Sequence, residues 1–203
     1  MQESVVESGS ASTRLDIGVP GYYLRGLRHT DAEAIARHAN NPSIAANLRD
    51  MFPHPYTLDD AITFLGYSVQ EGFDLPPLLG IVYEGERGEG EEVVGCVGLT
   101  LGKDVERYSA ELGYWLSEQH WGKGVVTGAV KAIVQHAFST LGLLRVFAEP
   151  YSHNRASCKV LEKSGFQCEG LLRASSVKSG VVIDQYMYAI VNEDLIQRWN
   201  VKE

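Results

Sequence analysis

The segment Gln119-His120-Trp121-Gly122-Lys123-Gly124 stands between an alternating run, residues 108–116, and a long run of helical period. Few folds accommodate such a junction. Two glycines without Cβ atoms let the main chain come close to a bulky anion. Behind them Val126, Ala129, Val130, Ile133, Ala137, Phe138 and Leu141 recur at helical spacing, so Gly122 is expected to open a helix. The first turn of that helix offers unpaired N–H groups and the positive end of its dipole. A strand, a glycine turn and a helix in this order describe a pyrophosphate cradle on an α/β sheet. The spacing is neither G-x-x-x-x-G-K-[ST] nor G-x-G-x-x-G, which separates it from P-loops and dinucleotide folds.

The flanking elements predict a mixed α/β (α+β) chain. Residues 22–27 alternate as a short strand, and Thr30 or Asp31 caps a helix that Asn40-Asn41-Pro42 stops near Asn40. An aromatic, proline-rich loop follows, Met51-Phe52-Pro53-His54-Pro55-Tyr56. Thr57 and Asp60 resemble a capping box, with aspartate in place of glutamate, for a helix to about Gln70. Apolar runs 78–84 and 93–101 flank a glycine-rich turn and read as a hairpin, with 108–116 as a third strand. After the central helix come a strand over 143–149, a helix over 154–164 with Gly165 as its left-handed cap, and strands over 166–174 and 181–191. Residues 1–14 lack periodicity and read as a flexible N-terminal tail; 15–203 read as one domain.

Charge narrows the partners. Acidic residues outnumber Lys and Arg by 26 to 18, giving a net charge of −8 with no basic cluster. That argues against a nucleic-acid surface, which needs concentrated positive charge, and suits a cationic partner such as an amine. No run approaches the roughly 20 apolar residues that span a bilayer, and Glu3 and Glu7 break any secretory pattern. Cys96, Cys158 and Cys168 are odd in number and lack C-x-x-C spacing, which points to a reducing, cytoplasmic location. The histidines show no ligand spacing, so no metal is expected.

Q-x-x-G-x-G after a strand is joined here by Glu111-Leu112-Gly113-Tyr114-Trp115-Leu116, by Asn154-Arg155-Ala156-Ser157 and by Val160-Leu161-Glu162-Lys163-Ser164-Gly165-Phe166. Together these strings resemble the GNAT superfamily of N-acetyltransferases, in particular its Rim-type branch, whose members acetylate N-terminal alanine or serine of ribosomal proteins. The resemblance spans about residues 20–192 and is loose over 40–75. It implies a mixed, mostly antiparallel sheet splayed at a CoA site and flanked by helices. It also implies acetyl-CoA as cosubstrate, no metal, and a monomer or homodimer. Main-chain amides of Gln119, Trp121, Gly122, Lys123, Gly124, Val125 and Val126 would hold the pyrophosphate, while the Lys123 side chain could equally face solvent. Tyr114, Trp115 and Leu116 would pair with pantetheine, and an N–H near Tyr114 would face the thioester oxygen. Asn154 would bond the CoA arm, and it stands equally at the N-cap of helix 154–164.

The implied chemistry needs a base. An alkyl amine with a pKa of about 10.4 is only about 0.04% neutral at pH 7, a deficit of roughly 4.6 kcal/mol in attacking species. The resemblance puts the base at Glu111, which strand alternation sets on one face with Gly113 and Trp115. A plain surface carboxylate is the other reading. Many family members carry a tyrosine as general acid four residues before the Gly-Phe pair, but Leu161 stands there. Ser157, one helical turn earlier, is the substitute the Rim-type resemblance implies; a bond to its own helix carbonyl is the alternative. Phe52 and Tyr56 wall the amine side or pack the core. The acceptor is a primary amine, on a protein or peptide N-terminus or on a small molecule. A non-catalytic acyl-CoA-binding or sensing module is the competing class.

Overall fold

The computed structural model describes residues 13–69, 76–85 and 90–200. In chain order its elements are β1 (Leu15–Asp16), β2 (Tyr22–Gly26), α1 (Ala32–Ala39), α2 (Pro42–Ala45), α3 (Leu58–Ser68), β3 (Leu78–Tyr83) and β4 (Glu92–Leu101). Then follow β5 (Ser109–Leu116), α4 (Val125–Ser139), β6 (Arg145–Ala148), α5 (Arg155–Lys163), β7 (Gln167–Lys178), β8 (Val181–Val191) and α6 (Glu193–Asn200). The eight strands form one sheet ordered β1-β2-β3-β4-β5-β6-β8-β7.

Apolar residues on both sides of the sheet explain why helices cover both. One core cluster joins Leu24, Val97 and Leu112 to Ala129, Val130 and Ile133 of α4 and Leu161 of α5. The other joins Tyr23, Val93 and Cys96 to Ile35 of α1 and Ala61 and Leu65 of α3. The strand most relevant to function is β5. Its side chains alternate: Ala110, Leu112 and Leu116 are buried, whereas Glu111 and Trp115 are half-buried and Gly113 is exposed.

Among the described residues β5 and β6 are the sheet's one parallel pair, and it lasts only from Ser109↔Arg145 to Glu111↔Phe147. On its other side β5 remains paired with β4 as far as Leu116↔Gly95. Past Glu111, therefore, one edge of β5 loses its strand partner. β6 ends at Ala148 with Pro150 two residues on, a residue that cannot donate to a ladder. This is the splay that the expected fold requires.

Several boundaries depart from the sequence reading, each for a local reason. α4 starts at Val125 rather than at Gly122, because Gly122 and Gly124 adopt φ of +76° and +81°, outside the right-handed helical region. Asp31 does not cap α1 with its side chain. It is held instead by the buried Arg25 guanidinium, at 2.9 and 2.8 Å, and by the Arg28 N–H. The chain after Asn40 makes a further helical turn, α2, with Pro42 at its start and Asn41 Oδ1 accepting from Ser43 N. β7 runs on to Lys178 through an irregularity at Ala174, whose N–H donates to Asp184 at 2.7 Å. Strand β1 and helix α6 were not anticipated; in α6 Trp199 packs against Tyr108. The Thr57–Asp60 capping box forms as expected. Of the expected tail only Thr13 and Arg14 are described, and Arg14 pairs with Glu84 and Glu91. Its other residues, Gln70 and residues 86–89 of the hairpin turn lie outside the described residues.

Candidate active site

The splay opens into a cleft of about 1080 Å³. Its floor is β5 from Glu111 to Leu116, and its far wall is α5 at Asn154 and Ser157. One end is closed by the turn before α4, the other by the loop after α2 and one face of α3.

At the α4 end the main chain itself lines the cleft. A Cβ built on Gly122 or Gly124 would meet no atom within 4 Å, so the space over this turn is open. The first helical hydrogen bond runs from Gly128 N to Gly124 O at 2.9 Å. The N–H groups of Val125, Val126 and Thr127 precede it and have no partner one turn back. As the first residues of a fifteen-residue helix, they present the positive end of a long dipole. A pair of anionic phosphates fits here by charge and by room. Trp121 staples the turn to the strand, its Nε1 donating to Leu116 O at 2.7 Å. Trp121, Gly122, Gly124, Val125 and Val126 wall the cleft, whereas Lys123 and Gln119 do not. Gln119 borders a separate depression behind the turn, with His38 and Glu92.

His120 anchors the turn from below. It is buried, and its Nδ1 lies 2.7 Å from the Tyr22 hydroxyl. Burial lowers its pKa below the ordinary 6.5, with Lys123 and His38 adding to the effect. Folded protein therefore binds fewer protons at His120 than unfolded protein does, so stability falls as pH drops below about 6.5. Melting temperature measured from about pH 7.5 to about 5.5 is expected to fall less steeply in His120→Asn, which keeps an acceptor but cannot titrate. An equal slope in both proteins would contradict this role.

In the middle of the cleft the side chains divide by strand face. Tyr114 points to the α5 side, where its hydroxyl lies 2.8 Å from Ser157 Oγ. Burial pushes the Tyr114 pKa up to about 12, so the phenol keeps its proton at neutral pH. Asn154 Oδ1 accepts from Ser157 N at 3.1 Å, as an N-cap does, while its amide nitrogen has no hydrogen bond among the described residues. The Tyr114 hydroxyl was missed in the sequence, although period-two alternation already set it on the face opposite Glu111.

Glu111 lies on that opposite face and pairs with Arg49 of the loop after α2. Beyond it an aromatic wall rises. Phe52 packs on Tyr56 with ring centroids 4.8 Å apart and edge-on to Trp115 at 6.0 Å. Tyr56 is buried and its N–H donates to Asn40 Oδ1. Phe52, Tyr56, Glu111 and Ser157 thus border one cavity, with the Glu111 carboxylate and the Tyr114 hydroxyl on opposite faces of one strand. Nothing in the sequence flagged Arg49, because its partner lies 62 residues away.

A mixed sheet splayed beside a glycine turn at a helix start defines the class. The chain matches the acetyltransferase (GNAT) domain model over residues 22–167, and it belongs to that family. It is an N-acetyltransferase of the GNAT fold. The uncharacterized N-acetyltransferase YoaA of Bacillus subtilis (strain 168) is 36% identical over 170 residues, 83% of this chain and 92% of its own. The uncharacterized N-acetyltransferase p20 of Bacillus licheniformis is 38% identical over 106 residues. That match covers 52% of this chain and little more than half of the relative, 59%. Among solved structures, RimL, a ribosomal L7/L12 alpha-N-protein acetyltransferase in complex with coenzyme A, superposes with a TM-score of 0.75 at 18% identity. The superposition covers 88% of this chain and 98% of that one.

Proposed function

We propose that this chain transfers the acetyl group of acetyl-CoA to a primary amine by direct attack of the amine on the thioester. The observation that carries the reading is the unpaired β5 edge beyond Glu111, which leads straight to the open turn at Gly122 and Gly124. Main-chain N–H groups from Gly122 to Val126 hold the pyrophosphate, and the free edge of β5 hydrogen-bonds the pantetheine arm as a missing strand would. Asn154 offers its unused amide nitrogen to the same arm. The coenzyme A in the RimL complex supports a cosubstrate of this kind.

Glu111 takes a proton from the bound ammonium, directly or through one water. The freed amine lone pair forms the new N–C bond at the thioester carbon, and the C–S bond breaks. The nitrogen sheds its second proton to solvent as the amide forms, and the thiolate leaves with a proton drawn from the Tyr114–Ser157 pair, which regains one from solvent. A thiol of pKa about 8.5 needs modest help to leave, so the pair contributes less than Glu111. Removing either hydroxyl, by Ser157→Ala or Tyr114→Phe, is expected to lower kcat about tenfold. The double variant should be little worse than either single one, because the two groups act as one donor. Additive losses would show that they act separately. Release of CoA thiol in the presence of acetyl-CoA and a panel of amines tests the reaction itself, and no release with any amine would contradict it.

A further inference from the structure

The acceptor end of the cleft carries an unusual pair of charges. Glu111, the proposed base, is engaged by the Arg49 guanidinium, and both groups stay in reach of solvent, at 25% and 61% exposure. Arg49 is the one Lys or Arg among the described cleft-lining residues that does not come from α5. The loop that bears it is pinned on either side. Tyr151 OH donates to Leu48 O at 3.3 Å, and Lys178 Nζ pairs with Asp50 at 2.8 Å. Asp60, the α3 acid that lines the cleft, is occupied by its capping box with Thr57. The cation is thus held beside the base by the fold.

We infer that the acceptor is a zwitterionic α-amino acid with a large apolar side chain, its ammonium on Glu111 and its carboxylate on Arg49. This rests on the acetyl-transfer reading above. A bare alkylammonium reaching Glu111 displaces Arg49 and leaves a guanidinium without a partner. A polyamine adds a second cation beside that guanidinium. A zwitterion exchanges one ion pair for two, since its carboxylate follows Arg49 as its ammonium replaces it. A guanidinium fork suits a carboxylate in bidentate fashion. An exposed pair such as Arg49–Glu111 costs little to open, so the exchange is cheap. The aromatic wall of Phe52, Tyr56 and Trp115 then receives the side chain.

The test compares L-phenylalanine, L-phenylalaninamide, spermidine and a serine-initiated peptide as acceptors, scored by CoA-thiol release at saturating acetyl-CoA. L-Phenylalanine is expected to exceed its amide by about tenfold in kcat/KM, the worth of one charge-assisted pair. Arg49→Gln, at an exposed site, is expected to collapse that ratio to near unity, chiefly through the KM of the amino acid. Preference for the amide, the peptide or spermidine would overturn the inference while leaving acetyl transfer intact. So would an Arg49→Gln variant that keeps the tenfold ratio. Failure of all four amines to release CoA would instead count against the transferase reading and remove the inference with it.

Discussion

Gly124→Trp is expected to abolish acetyl-CoA binding in a protein that still folds. Gly124 has φ +81°, and a side chain there projects into open space, with no atom within 4 Å of its Cβ. The left-handed conformation costs a non-glycine residue roughly 1–2 kcal/mol, which a domain of ordinary stability, about 5–15 kcal/mol, can absorb. An indole in that space sits where the pyrophosphate would lie. If two charge-assisted hydrogen bonds of about 1.5–3 kcal/mol each are lost, affinity falls about 10²–10⁴-fold. Isothermal titration with acetyl-CoA measures the loss, and far-UV circular dichroism confirms the fold. Undiminished binding would mean the turn is only a turn.

Glu111→Gln should act on the other substrate. The amide keeps the size and one acceptor oxygen of the carboxylate but cannot take the ammonium proton at neutral pH. Positioned proton transfer is worth about 10²–10⁴, so kcat is expected to fall at least about a hundredfold. Acetyl-CoA affinity should stay within about twofold, because the proposed contacts lie past Glu111, at the Gly122–Val126 turn and along the free edge of β5. The change also removes the anion that holds Arg49. Single-turnover acetyl transfer with saturating cosubstrate separates the chemical step from binding. A turnover rate equal to that of the unaltered protein would reassign the base.

Much of this site was legible because its chemistry is local in sequence. Gly122 and Gly124, the alternation of β5, the Asn154 N-cap and the Thr57–Asp60 box each depend on neighbours within four residues. What escaped depends on partners far along the chain. Arg49 meets Glu111 across 62 residues, and Tyr114 reaches Ser157 across 43. Arg25 is buried because Asp31 turns inward to it, a choice no propensity scale distinguishes from N-capping. The start of α4 lies three residues past Gly122, since helical periodicity marks the apolar face but not the φ of the glycines that precede it. Helix α6 is outside the sequence reading, although Asn192 caps it in the ordinary way, with Leu195 N donating to its side chain at 3.1 Å.

The charge of the cleft follows the same division of labour. On the proposed reading its α4 end recognises an anion with main-chain groups that bear no formal charge, which would let a chain of net charge −8 bind a diphosphate. On the same reading its acceptor end recognises an amine with the Glu111 carboxylate, on the opposite face of β5 from the Tyr114–Ser157 pair. Attack from one face of the strand and departure toward the other require the thioester to lie along the free edge between them.

A crystal structure of the protein with coenzyme A puts that geometry to its most direct trial. Hydrogen bonds of about 2.7–3.2 Å should join the diphosphate to main-chain nitrogens between Gly122 and Val126, with pantetheine lying along β5 past Glu111. A diphosphate bound by side chains away from this turn, or an arm that leaves the β5–β6 gap empty, would contradict the account at its root.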